Sequence, residues 1–272
     1  LIGCRMKRRQ SWAIRCLHEA QVADESCFLT LTYDKDHLPE DHSLDVSHWQ
    51  DFMKRLRQQE KRDAKREGRK ARRIRYLHCG EYGNLRLRPH YHALLFGIDL
   101  RKDGIPLRRS NPGERLWLSE TVAKKWQFGN HSVGDVSFQS ASYVAKYCTK
   151  KLSGEQGEAS VRRFDPETGE YWEVAPEYAT MSRRPGLGKL WFEKYRSDVF
   201  PRNYVVVNGR QMAVPDYYLE LLEREDPEMA KRMRLERLMA HKENEWNSTP
   251  ERLEVREECA EARQSQAIPT LS

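Results

Sequence analysis

The sequence predicts an α+β protein: a central antiparallel sheet with flanking helices, plus a helical C-terminal extension. Three observations predict it. The apolar period switches back and forth between about 3.6 and 2, in the order helix, strand, helix, strand, strand, helix, strand, helix. Consecutive strands favour an antiparallel or mixed sheet over a doubly wound parallel one, with helices covering at least one face. The 272 residues are 38% hydrophobic and 33% charged, enough to bury a real core while leaving heavily solvated segments outside it.

From Arg5 to Ala23, Trp12, Cys16 and Ala20 recur at four-residue steps with Leu17 alongside, the pattern of an amphipathic helix. "CFLTLTYD" (Cys27 to Asp34) is β-branched and apolar on both faces, as a central strand requires. Ser47 can cap a helix that begins near His48 and carries Trp49, Phe52, Met53 and Leu56 on one side. That helix runs into Lys54 to Arg75, with twelve Lys or Arg against three acidic residues, and Gly68 ends it. "IRYLHCGEYG" and "LRPHYHALLFG" are the second and third strands. Ile98 to Gly113 reads as a loop, Leu116 to Trp126 as a short helix and His131 to Phe138 as a fourth strand. Ser140 or Ser142 caps the helix "ASYVAKYCTKKL", which Gly154 can end. Ser153 to Gly169 is a loop, Glu170 to Val174 a strand, and "MSRRPGLGKLWFEKYRSDV" a turn followed by a helix. "NYVVVNGRQMAV" is a hairpin around Asn208-Gly209. Tyr217 to Trp246 reads as one long charged helix, and the chain after Pro250 as a mobile or loosely helical tail. Residues 1–215 are expected to form one domain, with 1–24 its N-terminal helix; 216–272 are expected to be a charged helical extension and flexible tail.

A net charge of +7 and a pI near 9.1 favour an anionic partner, nucleic acid first and an acidic membrane surface second. Six scattered cysteines without a CxxC pair fit reduced thiols better than a disulfide framework. No apolar stretch approaches the ~18–20 residues that span a bilayer, and nothing at the start reads as a signal peptide. The chain begins at Leu1, as a fragment or processed product would.

Two constellations carry chemistry. In a strand, residues two apart share a face, so His90 and His92 project side by side. Two imidazoles so placed can hold one divalent metal if a third ligand joins them. Glu81, nine residues earlier, reaches them if the two strands pair antiparallel; His78 is the alternative and faces the other way from Glu81 in a regular strand. A mixed nitrogen and oxygen set with open positions suits Mg²⁺ or Mn²⁺ at a phosphate, with Zn²⁺ also compatible. The second constellation is "SYVAKYCTKK": Tyr143 and Tyr147 lie four apart on one helix face, and Lys146 and Lys150 each follow a tyrosine by three. Neighbouring ammonium groups and a metal-bound phosphate lower the cost of forming phenolate, and two tyrosines allow two successive attacks on DNA. An amphipathic helix with half-buried tyrosines and snorkelling lysines has the same pattern.

With these motifs in this order, the sequence resembles the replication initiation proteins of microviruses, most closely the gokushovirus branch, within the HUH endonuclease superfamily. "FLTLTYD" resembles the first motif of that superfamily, "RPHYHALLF" the metal-binding second, and "YVAKYCTKK" the third with its paired tyrosines. The resemblance extends from Gly3 to about Tyr218 and implies an HUH/RRM-like palm. It implies a rolling-circle initiator that nicks and rejoins single-stranded DNA. A divalent metal, Mg or Mn, on His90, His92 and Glu81 would polarise the scissile phosphate. One tyrosine would form a 5′-phosphotyrosine link and free a 3′-OH for a host polymerase; the other would cleave the regenerated origin. Lys146 and Lys150 would stabilise charge on the phosphate or the tyrosine oxygen.

The implied partners are single-stranded or supercoiled phage DNA at the origin, a host helicase and a host DNA polymerase, with no membrane, in the cytoplasm of the bacterial host. No Walker A pattern is present, so unwinding is expected to come from supercoiling or a host helicase. Lys54, Arg55, Arg72, Arg73 and Arg75 of the basic run, with Arg88, Lys151, Arg183 and Arg184, are the candidate phosphate contacts. Tyr82 and Tyr91 fit either base stacking or the core. Two other readings share the features: a non-catalytic single-strand or RNA binder on an RRM-like sheet, and another HUH nuclease such as a relaxase or transposase. A zinc hydrolase lacks its HExxH or a comparable set.

Overall fold

The computed structural model describes residues 2–83, 87–107, 115–149, 161–164 and 168–266. Helix α1 (Ile2–Val22) leads into strand β1 (Ser26–Tyr33), followed by α2 (Val46–Arg66) and the paired strands β2 (Arg75–Tyr82) and β3 (Pro89–Phe96). Short strands β4 (Gly104–Pro106) and β5 (Trp117–Ser119), helix α3 (Glu120–Lys125), β6 (Gly129–Gly134) and α4 (Phe138–Thr149) come next. A separate ribbon, β7 (Arg162–Phe164) and β8 (Tyr171–Glu173), precedes β9 (Tyr178–Met181). The chain ends in α5 (Lys189–Val199), the hairpin β10 (Tyr204–Val207) and β11 (Arg210–Ala213), α6 (Asp216–Glu225), α7 (Pro227–Glu243) and α8 (Pro250–Gln266).

Seven strands form the main sheet in the order β4-β5-β6-β1-β3-β2-β9, and every pairing in it is antiparallel. The central place of β1 follows from its composition, because both of its faces are covered. Leu29, Leu31 and Tyr33, with Tyr91 and Leu95 of β3, pack under Trp49, Phe52 and Leu56 of α2. Phe28, with Leu77 of β2 and Leu94 of β3, packs under Ala13 and Cys16 of α1 and Ala141 and Val144 of α4. The molecule is thus helix, sheet, helix in section, with α1 and α4 on the face that the histidine pair points to.

Helix α1 carries apolar residues on more than one side and serves a further cluster. Ile14 joins Trp191 and Phe192 of α5, Val205 of β10, Tyr218 and Leu222 of α6 and Met233 of α7. A buried ion pair ties these layers together. The Arg75 Nε donates to Glu19 Oε1 at 2.5 Å, and Arg75 Nη2 donates to the Pro185 carbonyl at 2.9 Å. The other Glu19 oxygen accepts the Gly188 N–H at 2.7 Å.

Beside it, His18 stacks on Trp191 at 3.5 Å between ring centroids and shares a 2.9 Å hydrogen bond with the Tyr218 hydroxyl. Burial pushes this imidazole down from 6.5 to about 3. The unfolded chain therefore binds the extra proton first, and stability is lost as pH falls below 6.5. We expect His18 to cost about 2 kcal/mol at pH 5 relative to pH 7; urea unfolding of wild type and His18→Gln at both pH values measures it, the variant losing that increment of pH dependence.

Several elements differ from the sequence expectation, each for a local reason. Helix α2 starts at Val46, and its N-cap is Asp45, whose side chain accepts the Ser47 N–H. Gly68 does follow the helix end, with φ +66°, a value glycine adopts without strain. Leu116 to Trp126 is not one helix: Trp117–Ser119 is strand β5, and Ser119 caps the short α3. Strand β4 lies within the stretch read as loop. The fourth strand ends at Gly134, and α4 begins at Phe138, ahead of both expected caps. Ser137 and Ser140 cap it reciprocally: each hydroxyl accepts the other's backbone N–H, at 2.8 and 3.1 Å. Met181 belongs to β9, an edge strand unrecognised in the sequence.

The long helix over Tyr217 to Trp246 is two helices, broken at Asp226-Pro227. Proline lacks the N–H and pushes the residue before it out of helical geometry, here to φ −144°, ψ 81°. Asp226 then caps α7 by accepting the Met229 N–H at 3.0 Å. After Pro250 the chain is helical through Gln266. The Asn208-Gly209 hairpin forms as expected, with φ +50° and +75°. All six cysteines are free. Among the described residues no helix is long and apolar enough to cross a membrane. The expected C-terminal end of the α4 helix, with Lys150, Lys151 and Gly154, lies outside the described residues. So do most of the loop after it and the last six residues.

Candidate active site

The register of three strands assembles the site. Glu81 of β2 pairs directly with His90 of β3, and Thr30 of β1 pairs with His92. Paired residues in antiparallel strands share a face, so Glu81, His90, His92 and Thr30 all point toward α4. One ligand atom from each of Glu81, His90 and His92 lies within 4.8 Å of the other two. His78 is on the opposite face, stacked on Trp49 at 3.8 Å and bonded to Thr180 Oγ1, which removes it from the ligand set.

The donor atoms fit a divalent cation. His92 Nε2 is buried 2.8 Å from Glu81 Oε1, yet makes no hydrogen bond of acceptable geometry. His90 Nδ1 is also buried without a hydrogen-bond partner. Buried polar atoms are normally satisfied, so two orphans on adjacent imidazoles next to a carboxylate are what a ligand set for one common cation looks like. Burial pushes the His90 imidazole down, with a further contribution from His92, toward the neutral form that ligates. Burial also works to raise Glu81, but contacts from His92, Tyr143 and His90 outweigh it and hold its carboxyl below the usual range. The Glu81 carboxylate is thus present across the neutral range.

A second layer of residues orients these ligands. Thr30 Oγ1 lies 3.0 Å from His92 Nδ1, engaging the ring nitrogen away from Glu81. Gly83 leaves room for the other imidazole: a Cβ there would sit 2.8 Å from His90 Cε1. Sequence reasoning named neither, because only the cross-strand register reveals them. We expect Thr30→Val to weaken Mn²⁺ binding about 10–100-fold, as loss of such orienting partners does elsewhere. Calorimetric titration with Mn²⁺ reads this directly, and an unchanged affinity would remove Thr30 from the site.

Tyr143 reaches the same point from α4. Its hydroxyl donates a 2.5 Å hydrogen bond to Glu81 Oε1, and its ring meets His92 edge-on at 4.9 Å. Ala141 and Val144 seat the helix on the sheet, while the Arg9 guanidinium of α1 bonds the Ser142 carbonyl and hydroxyl. Burial, then the Glu81 charge, pushes the Tyr143 phenol well up. Tyr147 follows one turn later on the same side, 5.9 Å between ring centroids, and the Lys146 ammonium lies 5.6 Å from the Tyr147 ring centre.

The basic residues divide. Lys54, Arg73, Arg183 and Arg184 are exposed. Arg55 donates to the Lys125 carbonyl and fixes α2 to α3. Arg72 pairs with Glu25 and Glu60, and Arg75 is buried against Glu19. Arg88 stands near the metal end of the sheet and donates to the Tyr33 carbonyl at 3.2 Å. Tyr82 and Tyr91 are core residues: the Tyr91 hydroxyl accepts the Asp45 N–H and donates to the Asp45 carbonyl. Neither ring faces solvent.

The family model for replication-associated proteins of the ORF2 group matches residues 26–152, a span that runs from β1 past both tyrosines. The chain is similar to the replication-associated protein VP4 of Bdellovibrio phage phiMH2K, 36% identical over 231 residues, covering 84% of this chain and 67% of that protein. It is also similar to the replication-associated protein ORF2 of Spiroplasma virus 4, at 29% identity over 82% of this chain and 66% of that one. A third relative is the replication-associated protein ORF4 of Chlamydia phage 1, at 28% over 80% and 51%. The chain thus spans about two thirds of the length of the first two relatives and half of the third. No solved structure matches it.

Proposed function

The chain belongs to the replication-associated proteins of microviruses, and on that premise we propose that it is a metal-dependent DNA nicking and rejoining enzyme that initiates rolling-circle replication. The observation that carries this reading is the hydrogen bond from Tyr143 to a carboxylate that shares its cluster with His90 and His92. A nucleophile and a cation site converge on one point, which a non-catalytic binder has no use for.

Glu81, His90 and His92 would hold Mg²⁺ or Mn²⁺, which supplies polarisation of the scissile phosphate and offsets the charge that keeps the Tyr143 phenol protonated. Tyr143 attacks phosphorus first: the tyrosine oxygen–phosphorus bond forms, and the bond to the 3′-oxygen breaks. Glu81 Oε1 is the acceptor in contact with the phenolic proton, and the leaving 3′-oxygen takes up a proton from water. Tyr147, one turn away, attacks the regenerated origin after one circuit, and the new 3′-OH closes the circle by displacing Tyr143. Lys146 stands beside Tyr147 and stabilises charge on its oxygen or the phosphate; the role inferred for Lys150 and Lys151 concerns residues outside the described set. Exposed cations, Lys54, Arg73, Arg183 and Arg184 among them, bind the DNA backbone. A host helicase and polymerase complete replication in the bacterial cytoplasm.

The test is a denaturing gel after incubation with internally labelled single-stranded origin DNA and Mn²⁺. Wild type gives a covalent adduct. Tyr143→Phe combined with Tyr147→Phe gives none, and neither does wild type with excess chelator. An adduct that survives in the double variant rejects the assignment.

A further inference from the structure

Two stretches far apart in sequence form one cationic groove at the end of the sheet opposite the catalytic cluster. It lies between α2 and the segment joining β9 to α5. Arg57 and Lys61 line it from α2, Arg73 from the approach to β2, and Arg183 and Arg184 from the far wall. Its volume is about 770 Å³, and its floor is Ala71, Ile74 and Met181. The lining contains no acidic residue. One lining cation, Arg72, is spent on Glu25 and Glu60. Arg57 and Arg73 each donate to a backbone carbonyl, of Ile74 and Arg184, which leaves their charge uncompensated. Lys61, Arg183 and Arg184 are exposed and form no side-chain ion pair or hydrogen bond among the described residues.

We propose that this groove is a second DNA-binding site, which grips the phosphate backbone of the duplex flanking the nick. Five cations without a neighbouring carboxylate make a phosphate-tracking surface. A duplex is favoured over a loose single strand by the spacing. From Arg75 beside the groove to Glu81, β2 runs six residues at about 3.3 Å each, hence about 20 Å. At 3.4 Å per base pair that is about six base pairs. A rigid duplex spans such a distance in one conformation, so groove contacts would set the position of the scissile phosphate. This inference rests on the nicking reading above for its biological sense, and its test does not depend on cleavage.

The experiment uses the full chain without metal and two DNAs. One is a single-stranded oligonucleotide confined to the nick region; the other carries the same region joined to a twelve-base-pair stem. Fluorescence anisotropy gives the affinity of each over a range of salt concentrations. Wild type is expected to bind the stem-bearing DNA more tightly and with a steeper salt dependence. The triple variant Lys61→Glu, Arg183→Glu, Arg184→Glu is expected to lose about 2.7 from the log–log salt slope on that DNA, about 0.9 for each phosphate contact. Its loss on the short oligonucleotide is expected to be much smaller. Equal losses on both DNAs, no loss on either, or no preference of wild type for the stem would overturn the proposal; the last two would leave the groove to an acidic protein partner. The variant's circular dichroism, matched to wild type, identifies it as folded, and an Arg57→Gln, Arg73→Gln variant repeats the measurement without charge reversal. If wild type forms no covalent adduct but the stem preference stands, the nicking reading falls and the groove remains.

Discussion

Tyr143→Phe is expected to lower the rate of covalent adduct formation by about 10³-fold or more in a single turnover, the scale on which loss of a nucleophile is felt. The reason is positional. Tyr143 is the tyrosine whose oxygen already touches a ligand of the cation site, whereas Tyr147 lies a helical turn away. Tyr147→Phe should accordingly keep the first adduct and lose the second cleavage, so that linked product accumulates without circle closure. Phenylalanine preserves the edge-on contact with His92 and removes one hydrogen bond, worth about 1 kcal/mol. Mn²⁺ titration and thermal unfolding therefore serve as controls that should move little. Equal adduct loss in both single variants would mean that the tyrosines are interchangeable. An undiminished adduct in Tyr143→Phe would make Tyr147 the first nucleophile.

Glu19→Ala should be the most damaging substitution for stability, at about 3–5 kcal/mol. The carboxylate is 2% exposed and receives the Arg75 guanidinium on one oxygen and the Gly188 N–H on the other. Removing it leaves a buried guanidinium held by the Pro185 carbonyl, with Arg75 Nη1 already unpartnered. For a chain of this size the loss corresponds to a fall in melting temperature of roughly 10 °C. Replacing both partners, Glu19→Leu with Arg75→Met, should recover much of it, because the cost lies in the orphaned charge and not in the pair itself. A single variant that unfolds at the wild-type urea midpoint would show that water reaches Arg75 and that the layers do not depend on this contact.

The elements that were legible in the sequence are those whose signal is local. The two-sided apolarity of Cys27 to Tyr33 placed β1 at the sheet centre, and Asn208-Gly209 announced the β10–β11 hairpin. The elements misread are those decided by contacts beyond the window. Trp117–Ser119 is a strand because β4 and β6 pair with it, although its neighbours read as helix. Tyr178–Met181 is a strand because β2 offers it an edge. The break at Asp226-Pro227 was written in the sequence and is the one miss that local reasoning could have avoided.

For the candidate site the division is similar. Spacing alone put His90 and His92 on one face and Tyr143 and Tyr147 on one helix side, because side-chain direction repeats every two residues in a strand and about every four in a helix. Whether Glu81 joined the histidines, which of Arg72, Arg73 and Arg75 faced solvent, and which tyrosine stood at the carboxylate were settled only by strand register and helix seating. Periodicity is a property of a single element, but the distance between two elements depends on the packed volume of every side chain between them.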